Sequence, residues 1–154
     1  MQTIVVEPIG TVIGGRAEAV DDDWDTEQAL IRLDAARFGP ESLAGLEAFS
    51  HLEVVFRFHR VDPASINTSA RHPRGNPGWP KVGIFAQRGK NRPNLLGVSR
   101  CRLLAVEGLD LRVRGLDAID GSPVLDIKPY MTEFGPQGPT RQPEWASELM
   151  RGYY

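Results

Sequence analysis

Residues 49–58, FSHLEVVFRF, alternate apolar and polar side chains over a length that leaves little choice of conformation. In an extended chain Leu52, Val54, Phe56 and Phe58 fall on one face and His51, Glu53, Val55, Arg57 and His59 on the other. A helix would scatter the same apolar groups around its circumference, so the pattern predicts a strand with one buried face. Shorter β-branched or alternating stretches at 4–6, 9–13, 29–33, 82–85, 95–106, 109–113 and 124–127 read as further strands. Gly14-Gly15 ends the second of these, and Glu107-Gly108 joins 95–106 to 109–113 as a hairpin.

Between the strands the chain offers little helix. Residues 21–25 are acidic and turn-like, and residues 42–49 fit one or two short helical turns. Residues 62–80 hold Pro63, Pro73, Pro77 and Pro80 with Gly75 and Gly78, which exclude a regular helix or a central strand and predict a long surface loop. Only residues around 145–150 form a good helix. There is no βαβ rhythm and no internal repeat. The expected fold is therefore mainly β: a small barrel or sandwich, one domain over residues 1–154, with a short C-terminal helix.

Composition narrows the function classes. No apolar run approaches the roughly 20 residues that span a bilayer, and the first residues lack the pattern of an export signal, so a cytoplasmic protein without a membrane partner is expected. The single cysteine, Cys101, excludes an internal disulfide and a multi-cysteine zinc site; between Arg100 and Arg102 it reads as a buried core residue. His51 and His59 lie too far apart on one strand to share a metal, and no third ligand has a suitable spacing, so no metal is expected. The net charge of −2 conceals a bipolar distribution: residues 57–114 carry 12 of the 18 basic residues against Asp62, Glu107 and Asp110. That basic middle suits either a nucleic-acid surface or solvated strand faces.

Two segments carry polar chemistry. Residues 83–94, GIFAQRGKNRPN, run from a strand into a turn rich in guanidinium, ammonium and amide groups, which present donors to a carboxylate or phosphate. The alternative is that Arg88 ties two loops together by pairing with a downstream acid. Residues 115–130, GLDAIDGSPVLDIKPY, place Asp117, Asp120 and Asp126 around a Gly-Ser-Pro turn whose apolar neighbours imply partial burial, so its polar groups need partners. Asp126 and Lys128, two apart, share a strand face; pairing with each other and a catalytic role are both open. There is no P-loop, dinucleotide turn or nucleophile elbow.

The ordered segments PIGTVIGG, GLEAFSHLEVVFRFH, RHPRGNP, GIFAQRGKNRPNLLGVS and GLDAIDGSPVLDIKPY cover most of residues 7–130. On them the chain resembles the TrmO-like (YaeB-like) family of small β-barrel methyltransferases, which act on threonylcarbamoyladenosine next to the anticodon of tRNA. The resemblance implies an S-adenosylmethionine-binding barrel acting on tRNA, not DNA, as a homodimer with sites near the subunit interface. It implies cofactor contacts at His59, Arg60, Arg88, Val98, Asp117, Ala118, Ile119, Asp120 and Gly121. For the methyl transfer, Asp126 is expected to accept the proton, with Asp120 as its substitute and Lys128 orienting the carboxylate. Arg71, Arg74, Lys90, Arg92 and Asn94 are expected to meet the RNA. The family's Pro-Arg-Gln segment after the first strand is absent; residues 16–24 stand in its place, and Arg141-Gln142-Pro143 is a candidate replacement. The alternatives are a methyltransferase of the same barrel with another substrate, and a non-catalytic S-adenosylmethionine-binding protein.

Overall fold

A computed structural model describes residues 1–154. Eight strands follow in chain order: β1 (Gly10–Ile13), β2 (Gln28–Leu33), β3 (His51–Arg57), β4 (Ala70–Arg71), β5 (Val82–Gly83), β6 (Leu96–Glu107), β7 (Asp110–Arg114) and β8 (Pro123–Pro129). One helix, α1 (Glu144–Leu149), comes last. Six of the strands close into an antiparallel barrel in the order β1-β2-β7-β6-β3-β8, while β4 and β5 pair outside it. The pairing of β1 with β8 closes the sheet on itself, which decides the barrel over the sandwich.

The alternation in β3 is realised as expected: Leu52, Val54 and Phe56 are buried, at about 1.5–3 kcal/mol for each side chain taken out of water. They meet Val12, Ile31, Leu111, Val113 and Val124 from the other strands in one core. Cys101 is also buried there, and its thiol is pushed up to about 12 by burial and then by the Asp117 charge. A β-bulge between Val55 and Phe56 shifts the β3–β8 register, so Val54 pairs with Ile127 while Phe56 pairs with Val124.

Three expectations fail locally. Residues 4–6 form no strand; Ile4, Val5 and Val6 are exposed, because β8 pairs with β1 only at Gly10 and Thr11 and no ladder continues upstream. The strand expected at 82–85 stops after Gly83, where the chain tightens into a 3-10 turn over Ile84–Ala86 that buries Ile84. Residues 42–49 become two 3-10 turns, Pro40–Leu43 and Leu46–Ala48, rather than α-helix. The hairpin at Gly108 and the late helix stand where the sequence puts them, while the loop expected over 62–80 is interrupted by β4, which pairs with β5.

Candidate functional site

β6 has twelve residues and β7 only five, so their ladder covers Arg102 to Glu107 and stops. Residues 96–101 therefore keep β3 on one side and present open backbone on the other. Two loops close on this opening: residues 84–95, which lead into β6, and residues 115–122, which join β7 to β8.

From the first loop, Arg88 Nη2 donates to the Val98 carbonyl at 3.1 Å. Arg88 thus makes a loop-to-strand tie through backbone, and not the acid pair that was its alternative. From the second loop, the Asp117 amide donates to Ser99 Oγ at 3.3 Å. The Tyr153 hydroxyl donates to Asp117 Oδ2. Asp117 Oδ1 is buried without any partner, a costly state for a carboxylate oxygen. Tyr153 is held in place by its own backbone: Asp23 N donates to Gly152 O and Trp24 N to Tyr153 O, both at 2.9 Å. Burial, followed by the Asp117 charge, pushes the Tyr153 phenol far above its ordinary pKa, so it stays a donor.

The rest of the second loop organises the barrel end beside this cluster. Gly121 N donates to Val12 O at 2.8 Å, and Asp120 Oδ1 accepts from Gly14 N at 2.8 Å. Gly121 has φ +80°, and a β-carbon there would stand 3.4 Å from His59 Nε2, so His59 packs against glycine backbone. His59 is held below the usual imidazole range by burial and by Arg60 and Arg57, and its Nδ1 is buried without a partner. Arg60 Nη1 donates to Ala17 O at 2.7 Å, and Asp120 N to Arg16 O at 2.8 Å. Residues 16–24 are therefore folded onto the acidic turn. Arg16 pairs with Glu27 at 3.1 Å and lies 3.9 Å over the Trp24 ring. Arg141 and Gln142 are exposed, and Gln142 bonds to Ser147 at 2.9 Å; the C-terminal contribution to the site comes from Tyr153 instead.

Among the expected cofactor contacts, Arg88 and Val98 meet each other, Asp117 joins them through Ser99, and His59, Arg60, Asp120 and Gly121 gather at the adjoining barrel end. Ala118 is buried as part of the core, and Ile119 O caps the turn by accepting from Ser122 N. Asp126 and Lys128 pair with each other at 2.7 Å. They stand opposite Val55 and Glu53 on the barrel's outer face, and Asp126 Oδ1 also accepts from Ile127 N at 2.9 Å.

The residues expected to meet RNA divide sharply. Arg74 forks onto Asp22 at 2.8 and 3.1 Å, and Arg92 donates to the Gln87 carbonyl at 2.9 Å, so both tie loops together. Asn94 sits at φ 66° in the turn that feeds β6. Arg71 and Lys90 make no salt bridge, and Arg71 Nη2 reaches the α-carbon side of Gly89, beside Lys90. Of the other basic residues in the middle of the chain, Arg100, Arg102, Arg112 and Arg114 are paired with carboxylates. Five of the twelve basic residues at 57–114 are thus paired locally with carboxylates.

Ser99, Trp24 and Tyr153 were missed by sequence reasoning. A serine at 2 % exposure inside an apolar strand face is a signal once β6 is aligned, but nothing in the order of residues brings Tyr153 to Asp117.

Residues 22–135 match the model of the tRNA-methyltransferase O N-terminal domain. The chain belongs to this family. A human protein named tRNA (adenine(37)-N6)-methyltransferase is 41% identical over 109 residues, covering 70% of this chain and 24% of that protein. The Escherichia coli protein of the same name is 40% identical over 95 residues, covering 59% and 40%. A Methanothermobacter thermautotrophicus protein named "Probable S-adenosyl-L-methionine-binding protein" is 44% identical over 98 residues, covering 64% and 67%. The crystal structure of TrmO from Pseudomonas aeruginosa superimposes with a TM-score of 0.72 at 30% identity, over 91% of this chain and 62% of that one. The chain thus spans about a quarter of the human relative's length. The tRNA-methyltransferase O barrel is the part of those longer proteins that this chain shares.

Proposed function

We propose that this chain binds S-adenosylmethionine at the open edge of β6 and methylates the exocyclic N6 of the adenine at position 37 of tRNA, with threonylcarbamoyladenosine as the substrate form. The observation that carries the reading is the convergence on residues 96–101 of a guanidinium, an open strand edge and a carboxylate with one unpartnered oxygen. These groups fit the ligand. A ribose hydroxyl or ammonium supplies the donor that Asp117 Oδ1 lacks, Arg88 suits a carboxylate, and backbone at a strand edge recognises an adenine rim.

Bound there, S-adenosylmethionine supplies an electrophilic methyl group on a sulfonium. The N6 lone pair forms the new N–C bond as the C–S electron pair returns to sulfur, and the N6 proton passes to a base. That lone pair is delocalised into the purine, so alignment supplies much of the rate. Of the carboxylates considered for the base, Asp126 shares its charge with the Lys128 ammonium and one oxygen with Ile127 N. Asp120 has one oxygen on Gly14 N and no cation bonded to it, which favours Asp120 as proton acceptor. Lys128 then serves the outer face with Asp126. Of the cations expected at the RNA, Arg71 and Lys90 are the two whose side chains are not spent on a carboxylate or carbonyl, and the active assembly is a homodimer in the cytoplasm.

Labelled S-adenosylmethionine incubated with tRNA carrying or lacking the threonylcarbamoyl group tests the reading. Label entering only the modified pool is expected. Cofactor binding without label in either pool favours the binding-only alternative, and label in another RNA or small molecule favours a different substrate.

A further inference from the structure

Residues 136–154 lie beyond the segment that the family model matches, yet they deliver two tyrosines to the mouth of the site. The two are anchored very differently. Tyr153 is half-buried, its carbonyl and that of Gly152 accept backbone hydrogen bonds from Trp24 and Asp23, and its hydroxyl is committed to Asp117 Oδ2. Tyr154 is 55% exposed; its ring stands edge-on to Tyr153 at 4.9 Å between centroids, and burial followed by the Asp117 charge raises its phenol above the ordinary value. Tyr154 therefore packs on the residue whose hydroxyl holds Asp117, beside the open β6 edge.

Removing Tyr153 from this place would break two backbone hydrogen bonds and a charge-assisted one, and would strand a second oxygen of Asp117. Swinging Tyr154 outward breaks an aromatic edge contact. The cost of moving the two side chains is thus unequal, and only one of them is poised to yield to a ligand.

We infer that Tyr153 is a fixed positioning residue, which holds the Asp117 carboxylate for a ribose hydroxyl of the bound nucleoside, and that Tyr154 is the cover the nucleoside displaces from Asp117 Oδ1. The inference rests on the cofactor reading above. It assigns to Tyr153 the orientation of the carboxylate, and to Tyr154 the exclusion of water from it when the ligand is away.

Calorimetric titration of the whole chain with S-adenosylhomocysteine and its 2′-deoxy and 3′-deoxy analogues tests this. The wild-type chain is expected to prefer the parent compound to at least one deoxy analogue by about tenfold, the worth of one hydrogen bond to a charged group. Tyr153→Phe keeps the ring and removes the hydroxyl; it is expected to lose that preference and bind the parent about tenfold more weakly. Tyr154→Ala is expected to bind the parent at least as tightly as wild type and to associate faster. Wild-type hydroxyl preference in Tyr153→Phe overturns the positioning role, and Tyr154→Ala binding as weakly as Tyr153→Phe overturns the cover. Should Tyr153→Phe not fold, Asp117→Asn replaces it, with the same expected loss of preference and the same overturning result. Absence of any binding by the wild-type chain would instead remove the cofactor reading itself.

Discussion

Phe56 and Gly97 face each other across the β3–β6 ladder, and a β-carbon on Gly97 would stand 2.5 Å from the Phe56 ring. The glycine is what lets the tip of the largest core side chain reach the open end of β6. Gly97→Ala is expected to push the ring into the core and destabilise the chain by about 1–3 kcal/mol. Urea unfolding at fixed pH measures it; because Val98 and Ser99 follow directly, weaker binding of S-adenosylhomocysteine should accompany the loss.

His59 gives the stability a pH dependence of known sign. Its folded pKa lies below the ordinary value near 6.5, chiefly through burial and then through Arg60 and Arg57. The unfolded chain thus binds the proton first as pH falls. Stability is expected to be level above about pH 7.5, to fall as pH passes below about 6.5, and to level off again below the folded pKa. Urea midpoints taken across this range should show the slope, and His59→Gln should reduce it.

Cys101 is expected to be inert in the folded chain. With its thiol near 12, about one molecule in 10,000 carries thiolate at pH 8, and the buried sulfur is closed to reagents as well. Alkylation followed by mass spectrometry should find it unmodified under native conditions and fully modified in denaturant. Rapid native labelling would show that the β6 interior opens.

Arg74 and Lys90, both basic and both in loops, are expected to part company in RNA binding. Lys90→Ala and Arg71→Ala should each lower the salt dependence of tRNA binding by about one unit of slope. Arg74→Ala should leave that slope unchanged and cost about 0.5–1 kcal/mol of stability, because its fork is spent on Asp22, whose carboxyl it holds below the usual range. Titrations at several salt concentrations, with urea melts of the same variants, separate the two effects.

Asp120→Asn is expected to slow methyl transfer to modified tRNA by about 100-fold, and Asp126→Asn by much less, with cofactor binding retained in both. Single-turnover rates at saturating cofactor make the comparison. A larger loss in Asp126→Asn would return the proton-accepting role to the outer face of β8.

The sequence alone determined most of the barrel strands, the burial of Leu52, Val54 and Phe56 and the hairpin at Gly108, because periodicity and turn chemistry are local properties. Charge on its own left the basic middle open between a nucleic-acid surface and strand faces: Arg74, Arg92 and Arg100 are spent on Asp22, the Gln87 carbonyl and Glu53, and such pairing depends on which loops touch. Residues 4–6 have strand chemistry but no strand, since a strand needs a neighbour that only the closed barrel grants or withholds. Tertiary structure alone placed Tyr153 on Asp117, 36 residues away, and left the first half of β6 open. Both follow from the unequal lengths of β6 and β7 and from the path of the chain after α1, which brings groups remote in sequence into a space where an unpaired carboxylate must find a donor.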